Sequence, residues 1–111
     1  VIAYANDVKT NALGVEADLL AAEGAVSAPV ARDMAIGARE RYSADIGLSV
    51  TGIAGPDGGT EHKPVGLVFI GLSDARECRV NRHQFSGDRS AVRDAACESA
   101  LAMLNNYLHA E

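Results

Sequence analysis

The sequence is poor in the residues that mark several classes of protein. Its two cysteines, Cys78 and Cys97, fit neither a disulfide framework nor the ligand spacing of a zinc site. Ten Lys and Arg residues stand against fifteen Asp and Glu residues, for a net charge of -5, and the basic residues are scattered. No apolar run reaches spanning length and no stretch resembles a signal peptide. These absences argue against nucleic-acid and membrane partners and predict a cytoplasmic location.

The remaining composition is that of a folded globular domain. Hydrophobic residues make up 48% of the chain and charged residues 23%, with a mean hydropathy near zero. A chain of 111 residues predicts one domain that buries somewhat over ~60% of its unfolded surface. So small a core leaves assembly into a homo-oligomer open. Because Val1 opens an apolar run, we expect the natural protein to begin upstream of it, where further chemistry is encoded.

Helix signals dominate the first 42 residues. The apolar run VIAYA predicts the end of a buried strand, after which Asn6 is expected to cap a short helix that Gly14 ends. A second short helix is expected to follow. Ser27 is then a predicted N-cap for a third helix that reaches about Tyr42.

The second half predicts strands followed by a helix. Asp45–Val50 and Gly66–Ser73 indicate buried strands, and CRVNRHQF alternates like an antiparallel edge strand. From Asp88 onward an apolar stripe predicts a long amphipathic helix that covers one face of the sheet. We therefore predict a single layered α/β/α-type domain, of the α/β class, with a mixed sheet and a long C-terminal helix.

A glycine-rich stretch, VTGIAGPDGGTEHKPVG, joins the two buried strands. It lacks the GxxxxGK[ST] pattern of a P-loop, and no helix follows it as a dinucleotide fingerprint requires. Glycines that adopt positive φ let several N–H groups converge on an oxyanion or a phosphate. A flexible connection between two strands is the alternative, which composition alone favours, whereas the length and glycine density of the stretch favour a functional loop.

Several motifs together resemble one family. They are TGIAGPDGG followed by KPVGLVFIGL, the segment YANDVKTNALGV, the stretch GAVSAPVARDMAIGARERYSADIGLSVTG and the turn FSGDR. In order and over nearly the whole chain, they resemble the C-terminal domain of the competence/damage-inducible CinA family. The resemblance implies that residues 1–111 form such a domain without its N-terminal segment.

The resemblance also implies an activity. Members with an assigned activity hydrolyse the carboxamide of nicotinamide mononucleotide, a pyridine nucleotide, to nicotinate mononucleotide and ammonia. They use a serine nucleophile with a lysine and a tyrosine, and neither a metal nor another cofactor. The serine lies in an ESCTGG-like turn that this sequence lacks, so the nucleophile is expected upstream of Val1 and residues 1–111 alone are expected to be inactive. The alternative is a non-catalytic nucleotide-binding or assembly module with the same fold.

The motif YxNxxK carries the family's catalytic roles to Lys9 as general base and Tyr4 as its proton-shuttling or orienting companion. A lysine base must be neutral, and the helix dipole supplies only about 0.3–1 kcal/mol, less than one pKa unit. Burial must therefore provide the larger shift. By resemblance, the residues that bind substrate are Asn6, Thr51, Gly52, Gly55, Gly58, Gly59 and Arg89.

Some of these residues have plainer interpretations. Arg89, the candidate phosphate ligand, could instead be a surface arginine paired with Asp88 or Asp94, and Arg93 is a second candidate for the phosphate. The three histidines lack HxxxH or HExxH spacing, so no metal site is expected.

Overall fold

The computed structural model describes residues 1–110, which form four helices and a three-stranded sheet. In chain order the elements are α1 (Asn6–Leu13), α2 (Ala17–Glu23), α3 (Ala28–Arg41), β1 (Gly47–Gly52), β2 (Leu67–Ser73), β3 (Cys78–Gln84) and α4 (Arg89–Leu108).

The helix ends follow the signals in the sequence at most positions. Ser27 is the N-cap of α3, with its hydroxyl accepting from the Val30 N–H, and Tyr42 is the C-cap. Gly14 ends α1 in the left-handed region at φ 73°, a conformation that favours glycine. The Asp88 carboxylate caps α4 by accepting from the N–H of Ala91 at 2.9 Å.

Strand β2 lies between β1 and β3, and both pairings are antiparallel. Every residue of β2 is buried, as expected for a central strand covered on both faces. Strand β3 is the exposed edge strand that its alternation predicts. In the described residues the sheet is therefore antiparallel throughout, and the expected mixed sheet is wrong.

Helices cover both faces of the sheet. On one face, Leu67 and Phe69 of β2 pack against Ala31 of α3. On the other face, Val68 and Ile70 pack against α4 through an apolar stripe of Val92, Ala96 and Ala100. Helices α1 and α2 pack on α3. The α/β class, the layered arrangement and the long C-terminal helix are confirmed.

Two local predictions near the first helix are wrong. Residues 1–4 form no strand, and Val1 and Ile2 are 72% and 81% exposed. Apolar composition is not enough for a strand, because its backbone needs a pairing partner, and none of the described strands pairs with this segment. Asn6 is the first residue of α1, while Ala5 is the N-cap and makes no side-chain capping bond.

One hydrogen bond between elements that are distant in the chain could not be predicted from the sequence. The Tyr107 hydroxyl near the end of α4 donates to the Asp74 carboxylate, in the β2–β3 turn, at 2.6 Å. That bond and the N–H groups of Arg76 and Glu77 lower the pKa of Asp74 to about 2. This hydrogen bond holds the last turns of α4 against the β2–β3 hairpin.

Helix α3 approaches α1 so closely that only a glycine fits at the point of contact, which is position 37. A Cβ on Gly37 would lie 1.7 Å from the backbone oxygen of Leu13, although its helical backbone would suit alanine. The contact sets how deeply α1 sits against α3.

Gly37→Ala is expected to lower the free energy of unfolding by about 1–3 kcal/mol, the usual cost of overpacking, despite the gain of about 1 kcal/mol in helix propensity. Urea unfolding measures the change. Arg32→Ala, at an exposed position on the same helix, is the matched control and should stay within about 0.5 kcal/mol of the parent. A Gly37→Ala protein as stable as the parent would contradict the close contact.

Candidate functional site

A cavity of about 550 Å³ lies between the N-terminal segment, α1 and β1. Among the residues that line it are Tyr4, Lys9, Thr51 and Gly52. We call it the lysine cavity. Four of the residues expected at the site from the sequence thus share one concave surface of the size that small-molecule sites have.

Lys9 is buried because it lies on the face of α1 that packs toward α3. Its side chain is 5% exposed, and the buried residues Leu13 and Met34 line the same cavity. The Lys9 amine donates to the backbone oxygen of Ala3 in the N-terminal segment. Burial lowers the pKa of Lys9 from its ordinary value, because the charged form loses hydration.

Two hydroxyl side chains of β1 line the cavity, and both donate to backbone oxygens. Thr51 donates to Ala25 at 2.8 Å, and Ser49 donates to Ala31 at 2.6 Å. Both side chains are buried, and both point to the face of the sheet that α3 covers. Their protons are therefore committed, while each oxygen keeps lone pairs that can accept a hydrogen bond.

The glycine-rich connection, residues 53–66, is called the glycine loop. Its two ends are joined by a hydrogen bond from Gly66 N–H to the Ile53 oxygen at 2.7 Å. Three side-chain hydrogen bonds also connect the loop to α2, β3 and α4. These contacts are Lys63 to the Glu23 oxygen, Gln84 to the Val65 oxygen and Arg89 to the Gly55 oxygen. This many anchors disfavour the interpretation of the loop as a flexible connection.

A second cavity, of about 490 Å³, lies between the glycine loop and the first turns of α4. It is lined by Gly52, Gly55 and Gly58 and by two arginines, Arg89 and Arg93. We call it the arginine cavity. Tyr4, Val50 and Gly52 line both cavities, so the two meet at the end of β1.

Two expected site residues lie elsewhere. Asn6 is exposed and lines a separate groove with Asp7 and Thr10 on the surface of α1. Gly59 lines neither cavity and packs against the backbone of Val65. Their proposed contacts with substrate remain predictions without support from the geometry.

The sequence reasoning also missed residues of the site. The backbone oxygen of Ala3 accepts from Lys9, and that of Ala25 accepts from Thr51. Every residue type has a backbone oxygen, so the sequence gives no signal for these acceptors. Gly55 likewise binds Arg89 through its carbonyl oxygen rather than through an N–H group.

Metal-binding groups do not gather at either cavity. In the chain up to residue 110, no three His, Cys, Asp or Glu side chains come together in a way that could hold a metal ion. His83 instead stacks on Phe85 with ring centroids 5.1 Å apart. None of the described helices has the length and apolar character needed to cross a bilayer.

Comparison with known proteins identifies the family. The sequence model of the CinA C-terminal domain matches residues 1–108. The chain belongs to the CinA C-terminal domain family. Among curated CinA-family relatives, a "CinA-like protein" from Citrifermentans bemidjiense is 56% identical over 107 residues, which is 96% of this chain. Those residues make up 26% of the relative, so the chain spans about a quarter of its length.

Solved structures of the CinA family share the fold. The competence/damage inducible protein CihA from Agrobacterium tumefaciens has a TM-score of 0.88 and 40% identity, covering 91% of this chain and 62% of that one. A CinA superfamily protein from Enterobacter cloacae has a TM-score of 0.91 and 30% identity, covering 97% and 64%.

The buried amine makes stability depend on pH in a predictable direction. Between the lowered pKa of folded Lys9 and its ordinary value of 10.5, the unfolded chain binds more protons, so this residue makes stability rise with pH. Below that window both states are protonated, and the folded state bears the full cost of the buried charge. Lys9→Met removes this titration without leaving a large cavity.

We therefore expect Lys9→Met to raise the free energy of unfolding at pH 7 by about 0.5–2 kcal/mol, the usual gain from relieving such a site. The gain should shrink toward about pH 10, because the cost of leaving the folded amine unprotonated falls as the pH approaches the ordinary pKa of 10.5. Urea unfolding of both proteins at the two pH values measures this. Destabilisation by Lys9→Met at pH 7 would mean that the bond to Ala3 outweighs the burial of the charge.

Proposed function

We propose that this CinA-family protein is an amidohydrolase that removes ammonia from the carboxamide of nicotinamide mononucleotide to leave nicotinate mononucleotide. The observation that carries the proposal is the burial of the Lys9 amine in the cavity that Thr51 and Gly52 also line. The substrate class comes from the family resemblance of the YxNxxK and TGIAGPDGG motifs.

Lys9 serves as the general base. Burial lowers its pKa, which raises the fraction of neutral amine near neutral pH. The hydrogen bond to the Ala3 oxygen uses one N–H of the amine and orients it. In the neutral form the nitrogen keeps a lone pair that can take a proton. Tyr4, which lines both cavities, orients the amine or passes the proton on.

The nucleophile is a serine in a segment that precedes Val1 in the whole protein. Ser49 does not substitute for it, because its proton is donated to the Ala31 oxygen rather than to Lys9. Residues 1–111 thus provide the base and the substrate walls, and the upstream turn provides the hydroxyl. Under this proposal residues 1–111 alone release no ammonia.

The reaction proceeds in two halves. Lys9 takes the hydroxyl proton as the serine oxygen attacks the carboxamide carbon, and the protonated lysine then returns the proton to the leaving nitrogen as ammonia departs. Water attacks the resulting acyl-serine as its proton passes to Lys9. The protonated lysine returns that proton to the serine oxygen as the ester bond breaks, which restores the serine and the neutral amine, and the acid released ionises to the carboxylate. No metal takes part in either half.

Thr51 and the glycine loop hold the substrate. Because the Thr51 proton is donated to Ala25, its oxygen is suited to accept from the NH₂ of the carboxamide. No backbone carbonyl within residues 1–110 accepts from the N–H groups of Gly55 or Gly58, which line the arginine cavity, and this leaves both donors for the oxygens of the substrate's phosphate.

Lys9→Ala in the full-length protein is expected to reduce ammonia release from nicotinamide mononucleotide by at least about 100-fold, the lower end of what a positioned general base contributes. Single-substrate kinetics with ammonia detection measure it. Arg82→Met is the matched control, since it removes a cation from the exposed strand at the opposite edge of the sheet and should leave turnover unchanged.

Unchanged turnover in Lys9→Ala, with the fold intact, would remove Lys9 from the mechanism. Tight binding of nicotinamide mononucleotide without any ammonia release by the full-length parent protein would favour the non-catalytic nucleotide-binding module. Rapid hydrolysis by residues 1–111 alone would show that the nucleophile lies within them.

A further inference from the structure

Lys63 of the glycine loop reaches across to α2. Its amine donates to the backbone oxygen of Glu23, the last residue of that helix, where carbonyl groups lack partners within the helix. The amine lies so close to the chain there that a Cβ on Gly24 would be 2.8 Å from it. Within residues 1–110 no carboxylate pairs with Lys63. The oxygen of Glu23 is therefore the partner of this cation.

The segment that follows α2, residues 24–27, belongs to no helix or strand, and its Ala25 forms part of the wall of the lysine cavity. Two side-chain hydrogen bonds hold the segment. Lys63 binds the residue just before it, and the Ser27 hydroxyl donates to the Gly24 oxygen at 2.9 Å. Backbone outside regular elements depends on such bonds for its position. Lys63 therefore helps to fix where the Ala25 oxygen lies in the wall.

The Ala25 oxygen decides which way the Thr51 hydroxyl points. Thr51 donates its one hydroxyl proton to Ala25 at 2.8 Å, so its oxygen offers only lone pairs to a ligand. The Ser49 hydroxyl in the same cavity is committed in the same way, but its acceptor, Ala31, is fixed inside α3. A hydroxyl that can only accept binds the NH₂ of a carboxamide and makes no hydrogen bond to a carboxylate, which also has only lone pairs. The cavity therefore favours an amide over the acid that its hydrolysis produces.

We infer that Lys63 is a positioning residue that makes the lysine cavity selective for the carboxamide substrate against its carboxylate product. It acts through Glu23, by holding the following segment where Ala25 accepts the Thr51 proton. Without Lys63 this segment moves away from β1, and the freed Thr51 hydroxyl turns and donates to a carboxylate. The inference rests on the proposed function, because the amide and the acid are nicotinamide mononucleotide and nicotinate mononucleotide.

The test measures how tightly the full-length protein binds the acid. Lys63→Met is expected to bind nicotinate mononucleotide about 10-fold more tightly than the parent, the lower end of what a hydrogen bond to a charged group contributes. Calorimetry gives this dissociation constant without turnover, and product inhibition of ammonia release gives it a second time. KM for nicotinamide mononucleotide should not fall. A merely structural role would weaken both nucleotides, whereas the inference requires the acid to bind more tightly.

Two further variants at the same position separate the bond to Glu23 from the fold. Lys63→Gln, whose side chain is too short to reach the Glu23 oxygen, should show the same gain in affinity for the acid. Lys63→Arg can still donate to that oxygen and should stay near the parent. Urea unfolding of each variant checks that the domain is intact.

Two controls test the route through Thr51. Gln84→Ala removes another anchor of the glycine loop, but Gln84 lies on β3, which does not touch α2 within residues 1–110. It should loosen the loop and leave the preference between the two nucleotides unchanged. Thr51→Val in the Lys63→Met protein should abolish the gain, because the hydroxyl that would donate to the carboxylate is absent.

The inference is overturned if folded Lys63→Met and Lys63→Gln bind the acid no more tightly than the parent, or if the gain survives Thr51→Val. Weaker binding of both nucleotides would reduce Lys63 to a structural residue. A parent protein that binds both nucleotides and shows the expected shift on Lys63→Met, but releases no ammonia, would keep the inference and lose the proposed activity. A parent protein that binds neither nucleotide would overturn the proposed function, and the inference with it.

Discussion

The close approach of α3 to its neighbours is the constraint on which the rest of the structure depends. At two contacts a backbone oxygen occupies the space where a side chain would begin: that of Leu13 against Gly37 and that of Ala35 against Gly47. Larger residues would push α3 away from α1 and from the sheet. Because α3 touches α1, α2 and the sheet, its depth decides whether the residues between them are buried.

The burial of Lys9 follows from this packing and is costly for so small a domain. An ammonium ion taken out of water loses hydration, and the one hydrogen bond to Ala3 offsets only part of that loss. The lowered pKa and the reduced stability are thus two consequences of one placement. Folding alone gives no reason to keep a lysine there, since an apolar side chain would fill the space without the cost. A neutral amine beside a cavity is, in contrast, what a general base requires.

Local signals in the sequence predicted the elements well, and pairings that depend on distant partners were harder. Ser27 and Gly14 mark helix ends because caps are local. The strand expected in residues 1–5 is absent, since apolar residues alone do not specify a pairing partner, and the mixed sheet expected alongside it is absent too. Asn6 lies one residue inside α1, an offset that composition cannot resolve.

The residue types that line the candidate site could be named from the sequence, but their hydrogen bonds could not. Family motifs identified Lys9, Thr51 and Arg89, and the structure brings Lys9 and Thr51 to one cavity and Arg89 to the adjoining one. Their partners are the backbone oxygens of Ala3, Ala25 and Gly55, which any residue could supply. These hydrogen bonds therefore emerge only in three dimensions.

The anchoring of the glycine loop explains how a segment so rich in glycine can serve a site. Glycine has the largest backbone entropy in the unfolded chain, so a free loop of this composition would lose that entropy when a ligand ordered it. Here the bonds from Lys63, Gln84 and Arg89 order the loop when the domain folds, before any ligand arrives. The conformational cost is then part of folding rather than of binding. The N–H groups of Gly55 and Gly58 are fixed in advance, so that they can bind an anion without a further loss of backbone entropy.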